Sequence, residues 1–300
     1  MRRRLTFAIS TDYARRTGGW VYDQHLLAGL AALGWTIERL DLPAGFPDPD
    51  AAARAATRAL LRALPDGTLL LQDQLTFSVL PELATAERGR LRQAVIVHHP
   101  LALEGDRPAA QAAALRAAER TALAAAALVV VTSSATAREL AQDFGVAPER
   151  LVVALPGVDA KPLSPPGRPG AQRLLSVGAV VPRKDHGLLI EALAALADRA
   201  WRLDLVGNLD RAPGHVAALR AQLADRALRQ RVTLHGELAE PALEALWHAA
   251  DLYVASSRHE GYGMAIAEAV ARGLPVVTTD GGAVGDWLDP AAALIVPAGD

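Results

Sequence analysis

A regular alternation of short apolar runs and longer helical stretches extends through the whole chain. Each run is rich in Val, Ile and Leu, and the Ala/Leu/Arg stretch after it has apolar residues at helical spacing. The predicted strands are 5–11, 36–40, 68–71, 94–98, 128–132, 151–154, 173–177, 202–206, 232–234, 252–255, 275–278 and 293–296. The predicted helices are 20–33, 50–64, 109–124, 134–144, 185–197, 213–227, 241–249 and 263–272. Apolar strands joined by helical crossovers indicate an α/β fold of doubly wound parallel sheets.

The segment 156–170 interrupts this alternation. Its prolines and glycines continue neither a helix nor a strand, so it predicts a boundary between two domains. We expect a Rossmann-like domain at 1–160, a linker at 161–170 and a second Rossmann-like domain at 171–300. Two such domains would face each other across a cleft, with ligands at the carboxyl ends of the strands. The sequence stops directly after a strand without a closing helix, and we interpret it as truncated.

The composition excludes several classes of protein. With 31 basic and 33 acidic residues the net charge is −2, which gives no overall attraction to nucleic acid. The absence of cysteine excludes disulfides, Cys-ligated zinc and thiol catalysis. No stretch reaches the ~18 apolar residues of a membrane helix. We expect a cytoplasmic protein; peripheral contact with the inner face of the membrane stays open, although no basic amphipathic helix supports it.

The most informative segment is 256–268, with the sequence Ser-Ser-Arg-His-Glu-Gly-Tyr-Gly-Met-Ala-Ile-Ala-Glu. It joins a predicted strand to a predicted helix, and places Glu260 in the loop and Glu268 in the helix. Gly261 and Gly263 allow a ligand to approach the backbone, and amides at a helix N-terminus bind phosphate. Two carboxylates beside such a site would suit neutral hydroxyls, as on a sugar or a ribose. A glycine-rich turn with two solvated acids is the open alternative.

Arg183 and Lys184 follow the first predicted strand of the second half, in the loop after Gly178. Two cations there could neutralise a diphosphate. Lys184 stands out because the chain has only two lysines. We predict no Asp-x-Asp element in a loop between strands, and we therefore expect no metal and no other cofactor, with Arg and Lys in the place of a metal ion. The alternative is a solvated basic pair in a loop.

Two segments of the first half also lie at predicted strand ends. His98 and His99 end one strand, where a histidine could hydrogen-bond a sugar hydroxyl or stabilise developing charge. Gly18 and Gly19 connect the first strand to the first helix and permit close approach of a ligand, but no third glycine follows at the spacing of a dinucleotide site. For the histidines, the alternative is a strand end with one ring in the core and the other in solvent.

Taken in order, these segments resemble the family 4 retaining glycosyltransferases of GT-B fold. The family's Glu-x7-Glu element matches Glu260 and Glu268, and its strand-Gly-loop-Arg/Lys element matches 178–184. Its N-terminal glycine loop matches 18–19, and its histidine segment matches 98–100. The similarity runs from about residue 5 to the end of the chain.

The resemblance implies a metal-independent retaining enzyme that moves a sugar, expected to be a hexose, from a nucleoside-diphosphate sugar to a hydroxyl of an unidentified glycan, lipid or small molecule. The implied catalytic residues are Arg183, Lys184, His98 and Glu260. The implied donor-binding residues are Gly18, Gly19, Gly178, Gly261, Tyr262, Gly263 and Glu268. The two cations would neutralise the diphosphate, while Glu260 would hold sugar hydroxyls and Glu268 ribose hydroxyls.

One departure and two other functions stay open. Many members of the family carry Arg directly after the glycine of the second element, where this chain has Ala179; Arg183 would then substitute for it. A nucleotide-sugar epimerase would share the fold but would want more acid and base groups around the sugar. A non-catalytic protein that binds nucleotide sugars is the third hypothesis.

Overall fold

The computed structural model describes residues 3–12, 17–105, 107–165, 170, 172–224 and 226–300. Residues 166–169 of the predicted linker therefore lie outside the described residues. The chain divides into two compact units, Met1–Pro156 and Gly157–Asp300. Within the described ranges, no helix combines the length and the apolar character needed to cross a bilayer.

The first unit contains one parallel six-stranded sheet. Its strands are β1 (Arg4–Ser10), β2 (Thr36–Leu42), β3 (Leu69–Asp73), β4 (Arg92–Val97), β5 (Leu128–Val131) and β6 (Leu151–Val153). Its helices are α1 (Gly18–Ala32), α2 (Ala51–Ala63), α3 (Gln74–Phe77), α4 (Pro81–Glu87), α5 (Ala109–Ala125) and α6 (Ser134–Asp143). The strand order is β2-β1-β3-β4-β5-β6. Because this order reverses between β1 and β3, the loops after these strands border the crevice where such sheets bind ligands.

The second unit contains another parallel six-stranded sheet. Its strands are β7 (Gln172–Val177), β8 (Trp201–Val206), β9 (Val232–Gly236), β10 (Leu252–Ala255), β11 (Val276–Thr279) and β12 (Ala293–Val296). Its helices are α7 (His186–Ala194), α8 (Pro213–Gln222), α9 (Arg226–Arg229), α10 (Glu240–Ala249), α11 (Met264–Ala271) and α12 (Val284–Trp287). The strand order is β12-β11-β10-β7-β8-β9, so the reversal lies between β7 and β10.

Central strands that are buried on both faces carry each core. In β4, Val95, Ile96 and Val97 are each at most 1% exposed, as expected for a parallel strand covered by helices. In the second unit, Trp247 of α10 stacks on Tyr253 of β10 with ring centroids 5.4 Å apart. This stack fixes β10, the strand that leads into the segment 256–268.

The α/β fold class and all twelve predicted strands are confirmed, with strand ends within two residues of prediction. The pattern did not predict α3, α4 and α12, because helices of four to seven residues are too short to show helical periodicity. The helix predicted at 213–227 ends at Gln222 as α8, and the separate short helix α9 follows.

Candidate functional site

Two glycines bring the loops after β7 and β8 into contact. A Cβ atom on Gly207 would overlap the carbonyl oxygen of Gly178, and a Cβ atom on Gly178 would lie 3.2 Å from Lys184 Cε. The Gly178 amide donates to Val206 O at 2.8 Å. The predicted donor-site glycine Gly178 therefore makes room for the side chain of Lys184.

Arg183 and Lys184 lie on a single 3-10 turn, Pro182–Lys184, which precedes α7. The Ser256 hydroxyl donates to the carbonyl oxygens of Lys184, at 3.0 Å, and Asp185, at 2.8 Å. The Arg258 amide donates to Arg183 O at 2.9 Å. The loop after β10 thus holds the main chain of the turn after β7. These contacts fix the backbone positions from which the side chains of Arg183 and Lys184 extend.

Both cations converge on the carboxylate of Glu260. Lys184 Nζ lies 2.5 Å from Oε1, and Arg183 Nη1 lies 3.4 Å from Oε2 and 2.7 Å from His259 O. The Ser257 hydroxyl also donates to Oε1, at 2.6 Å. Burial alone would raise the pKa of Glu260, but Lys184 and then Arg183 outweigh it and lower this pKa to about 2.

This geometry rules out the predicted alternatives of solvated groups. The side chains of Arg183, Lys184 and Glu260 are 13%, 18% and 8% exposed. Arg183 Nε is buried and makes no hydrogen bond to any residue the structure describes. A buried donor without an acceptor is costly, and a ligand oxygen would satisfy it.

A glycine pair after β11 supports the backbone of Glu260. The Glu260 amide donates to Gly281 O at 3.0 Å, and the Ala283 amide donates to Glu260 O at 2.8 Å. A Cβ atom on Gly281 would overlap the carbonyl oxygen of Arg258, and one on Gly282 would overlap that of Glu260. No role was predicted for Gly281 and Gly282 from their chemistry, although two adjacent glycines directly after a strand indicate a close approach of the backbone.

The N-cap of α11 is Gly263, which has φ 91°, and no side chain caps the first turn of the helix. Its leading amides are therefore available to an anion, as expected. Before it, the Tyr262 ring stacks on Trp287 with centroids 5.0 Å apart, and Trp287 Nε1 donates to Tyr262 O at 2.8 Å. Gly261 is buried, so the loop approaches the helix along a fixed path.

Glu268 differs from Glu260. It is half-buried in α11, and its carboxylate makes no hydrogen bond or ion pair with the described part of the chain. Burial raises the pKa of Glu268, and Arg272 opposes this rise. Glu268 is therefore a carboxylate that is partly removed from water and has no protein hydrogen-bond donor, as a residue that binds hydroxyls requires.

The predicted residues of the first unit lie at its own sheet edge. Gly18 and Gly19 form the first turn of α1, where Thr17 accepts a hydrogen bond from the Trp20 amide at 3.2 Å. The helix was predicted to begin only at Trp20, so placing both glycines in a loop was wrong. Residues 13–16, before them, lie outside the described residues.

His98 follows β4, and its Nε2 faces two buried carboxylates. It lies 3.3 Å from Asp23 Oδ1 and 3.5 Å from Asp73 Oδ2. The neighbouring His99 Nε2 lies 4.0 Å from Glu104 Oε1. The side chains of both histidines are largely buried, so the alternative with one ring in solvent is wrong.

Sequence reasoning missed Asp23 and Asp73. Asp23 begins a short polar run, Asp23–His25, in the otherwise mainly apolar helix α1, and Asp73 ends β3 next to β4 in the register Asp73↔Ile96. An aspartate at the carboxyl end of a central strand was the available signal.

Carboxylates that could hold a cation also lie in the first unit. Ligand atoms of Asp23, Asp73 and His98 lie within 4.8 Å of one another. The predicted absence of an Asp-x-Asp element between strands is wrong: the chain has one at 48–50, between β2 and α2, where Asp50 caps the helix by accepting from the Ala53 amide at 2.7 Å. That element is thus explained by helix capping.

Two family models match the chain. The model described as Glycosyltransferase Family 4 matches residues 18–161, and the model described as Glycosyl transferases group 1 matches residues 171–300. The chain belongs to the family 4 glycosyltransferases of GT-B fold, which confirms the resemblance of its motifs.

Curated proteins with similar sequences carry transferase names. The MMP alpha-(1->4)-mannosyltransferase of Mycolicibacterium hassiacum is 29% identical over 274 residues, which cover 85% of this chain and 64% of that protein. The D-inositol 3-phosphate glycosyltransferase of Geodermatophilus obscurus is 35% identical over 196 residues, which cover 58% of this chain and 42% of that protein. The chain thus spans less than two thirds of the length of either relative.

Solved structures share the fold over the whole chain. The sucrose-phosphate synthase of Thermosynechococcus elongatus has a TM-score of 0.79 at 19% identity, covering 100% of this chain and 87% of that one. Anabaena Alr3699/HepE in complex with UDP and glucose has a TM-score of 0.75 at 19% identity, covering 99% of this chain and 86% of that one.

Proposed function

We propose that this chain is a metal-independent retaining glycosyltransferase that moves a hexose from a nucleoside-diphosphate sugar to a hydroxyl acceptor. The observation that carries the proposal is the buried cluster of Arg183, Lys184 and Glu260 at the reversal of the second sheet. Sheets of this kind bind ligands at that point, and two buried cations there suit a diphosphate.

Donor binding would exchange the partners of the cations. Diphosphate oxygens would replace Glu260 beside Lys184 Nζ and would occupy the unused Nε of Arg183. Amides at the start of α11, after Gly263, would bind the same phosphates. Glu260 would then accept hydrogen bonds from sugar hydroxyls, and Glu268 from ribose hydroxyls.

Catalysis would come chiefly from stabilising the leaving diphosphate. In the transferring step the bond between the anomeric carbon and the phosphate oxygen breaks, and the acceptor oxygen bonds to the same face of that carbon. The acceptor proton passes to the departing phosphate, so no protein nucleophile is needed. Charge develops on the phosphate as the bond breaks, and preorganised cations in a partly buried site stabilise it strongly.

Two kinds of observation support this assignment. The relatives are named as mannosyltransferases and glycosyltransferases, and Alr3699/HepE was solved with UDP and glucose. The cations present at the second sheet edge also provide the charge that a metal ion would otherwise supply. We assign acceptor selection to the first unit, and His98 to contact with a substrate oxygen.

A calorimetric titration with UDP-, GDP- and ADP-sugars tests donor binding, and release of the nucleoside diphosphate with a panel of acceptors tests transfer. We expect one donor class to bind, with turnover unchanged by EDTA and the anomeric configuration of the donor retained in the product by NMR. Conversion of the donor sugar without nucleotide release would indicate an epimerase. Tight binding with neither reaction, across the acceptor panel, would reject the transferase.

A further inference from the structure

The loop 261–263 carries main-chain amides that have no acceptor within the chain. This loop joins Glu260 to α11, and two of its residues, Gly261 and Gly263, are buried. No main-chain oxygen of a described residue accepts a hydrogen bond from the amides of 261, 262 or 263. Main-chain donors in buried segments almost always have an acceptor, so these amides need one from solvent or from a ligand.

The carbonyl of Tyr262 faces the indole of Trp287, the last residue of α12. Trp287 Nε1 donates to Tyr262 O at 2.8 Å, and no main-chain amide of the described residues donates to this oxygen. The peptide between Tyr262 and Gly263 is trans. Because the carbonyl and the N–H of a trans peptide point in opposite directions, the Gly263 amide is turned away from Trp287.

The preceding part of the loop is fixed in a different way. Glu260 forms an isolated parallel bridge with Gly282. Its amide donates to Gly281 O at 3.0 Å, and its carbonyl accepts from the Ala283 amide at 2.8 Å. The 262–263 peptide belongs to no such bridge, so a side chain and not the main chain sets its orientation.

Gly263 makes this orientation easy to lose. It has φ 91°. Glycine adopts positive and negative φ about equally well, so the 262–263 peptide can rotate at low cost. Rotation by half a turn would place the Tyr262 carbonyl where the Gly263 N–H lies. An anion beside the loop would then meet an acceptor oxygen in place of a donor, and the two would repel each other.

Trp287 is itself held in place. Its ring stacks on the Tyr262 ring, with centroids 5.0 Å apart and planes 14° apart. Val284 and Leu288, which flank it in the chain, are 0% and 4% exposed. A Cβ atom on Gly263 would lie 3.4 Å from Val284 Cγ2, so α12 packs directly against the loop. The indole therefore meets the carbonyl without the entropy cost of ordering a mobile side chain.

We propose that Trp287 is a positioning residue that holds the 262–263 peptide with the Gly263 N–H directed toward the diphosphate of the donor. Trp287 would not touch the substrate and would act through the main chain of the loop. The identity of the anion rests on the proposed function. The fixed orientation of the peptide does not, because it depends on a contact within the chain.

The first test compares crystal structures of the wild type and Trp287→Phe, both without ligand. Phenylalanine keeps an aromatic ring against Tyr262 and removes the Nε1 donor. We expect one orientation of the 262–263 peptide in the wild type and a rotated or mixed orientation in the variant. The wild-type orientation as the single one in Trp287→Phe would overturn the proposal, whether or not the chain transfers sugars.

The second test measures binding of UDP, GDP and ADP by calorimetry, with Trp201→Phe as the matched control. Trp201 Nε1 also donates to a main-chain carbonyl, Leu196 O, at 3.0 Å, but Trp201 belongs to the core cluster that contains Leu203 and Leu205. For the nucleotide that binds, Trp287→Phe should raise the Kd by about 10-fold. Trp201→Phe should change it by less than about twofold, because its contact is remote from the loop.

An unchanged Kd in Trp287→Phe would overturn the proposal. A wild type that binds none of the three nucleotides would overturn the proposed function and the assignment of the anion, while the first test still decides whether Trp287 fixes the peptide.

A purely structural role for Trp287 is the competing explanation. It predicts a lower Tm in Trp287→Phe and Trp201→Phe alike, with no specific change in nucleotide binding. The proposal predicts a higher Kd in Trp287→Phe alone, measured well below the Tm of both variants. The same increase of Kd in both variants would contradict it.

Discussion

The carboxyl edges of the two sheets have opposite charge balances. At the first edge two carboxylates, Asp23 and Asp73, surround one histidine. At the second edge two cations, Arg183 and Lys184, surround the single carboxylate of Glu260. Within these two clusters of described residues, carboxylates outnumber basic side chains at one reversal point, and basic side chains outnumber carboxylates at the other.

This difference indicates how the two units would divide the work. A diphosphate binds more favourably where buried cations outnumber carboxylates, and it is repelled where carboxylates outnumber cations. We therefore assign the phosphates of the donor to the second edge. The first edge suits an uncharged sugar or acceptor, to which His98 could donate a hydrogen bond.

Removal of a cation from the second edge should have the largest effect. Lys184→Ala should lower kcat/KM for the nucleotide sugar by about 100- to 1000-fold, because a preorganised charge on the leaving group is lost. The only other lysine, Lys161, pairs with Glu240 and Glu244 and is the matched control. Lys161→Ala should change kcat/KM by less than about threefold. Equal decreases of kcat/KM in Lys184→Ala and Lys161→Ala would contradict the assignment of the diphosphate to the second edge.

Loss of the unpartnered carboxylate should have the next largest effect. Glu268→Ala should weaken donor binding by about 10- to 100-fold, as expected for lost hydrogen bonds to a charged group. Since burial raises the pKa of Glu268, the wild type should also lose donor affinity as the pH falls toward that raised value. The measurement is calorimetric titration at several pH values. Glu268→Gln should remove this acid dependence; a Gln variant with wild-type pH behaviour would contradict the assignment.

The glycine support of the second edge can be tested by stability. Gly282→Ala should lower the free energy of unfolding by about 1–3 kcal/mol and displace Glu260, because the added methyl overlaps its carbonyl oxygen. Gly285→Ala is the control, since its nearest neighbour, Asp280 O, would lie 3.9 Å away. Urea unfolding followed by circular dichroism measures both. A Gly282→Ala protein as stable as the control would contradict the close packing.

The smallest expected effect is an opposite pH response of the two edges. The pKa of His98 is raised from 6.5 to about 10, so its stabilising contribution is complete below pH 6.5 and is lost as the pH rises through 10. The pKa of Glu260 is lowered from 4.5 to about 2, so its contribution is present above pH 4.5 and is lost as the pH falls through 2.

Thermal unfolding of His98→Gln and Glu260→Gln against the wild type checks these windows. A Tm advantage of roughly 2–4 °C for the wild type at pH 6 should shrink toward pH 10 in the first comparison and toward pH 3 in the second. If the Tm difference from the wild type changed over the same pH range in both variants, the predicted difference between the two edges would be wrong.

The fold was predictable because it follows from short-range patterns. A run of β-branched apolar residues such as 95–97 predicts a buried strand. A strand–helix alternation repeated along the chain is compatible with few fold classes. Glu260 and Lys184 could be proposed from their positions after strands, since carboxyl ends of neighbouring parallel strands meet at one edge.

The pairings within each site were less accessible. Lys184 and Glu260 are 76 residues apart, and nothing local specifies that they meet at 2.5 Å. Asp23 and Asp73 are 75 and 25 residues from His98 in the chain, and both lie beside other polar residues, Gln24 after Asp23 and Gln72 and Gln74 around Asp73. A pattern built on periodicity shows that such a residue is buried but not which partner compensates it.

The contact between Lys184 and Glu260 also bears on which nucleotides would be retained. A nucleoside diphosphate that lacks its sugar would take Lys184 and leave the enclosed Glu260 carboxylate without its lysine and with the neutral Ser257 hydroxyl as a donor, which is costly. An intact donor would supply hydroxyls to the same carboxylate and so compensate it. The protein would therefore bind the nucleoside-diphosphate sugar more tightly than the nucleoside diphosphate without its sugar. After transfer, renewed contact between Glu260 and Lys184 would favour release of the nucleoside diphosphate.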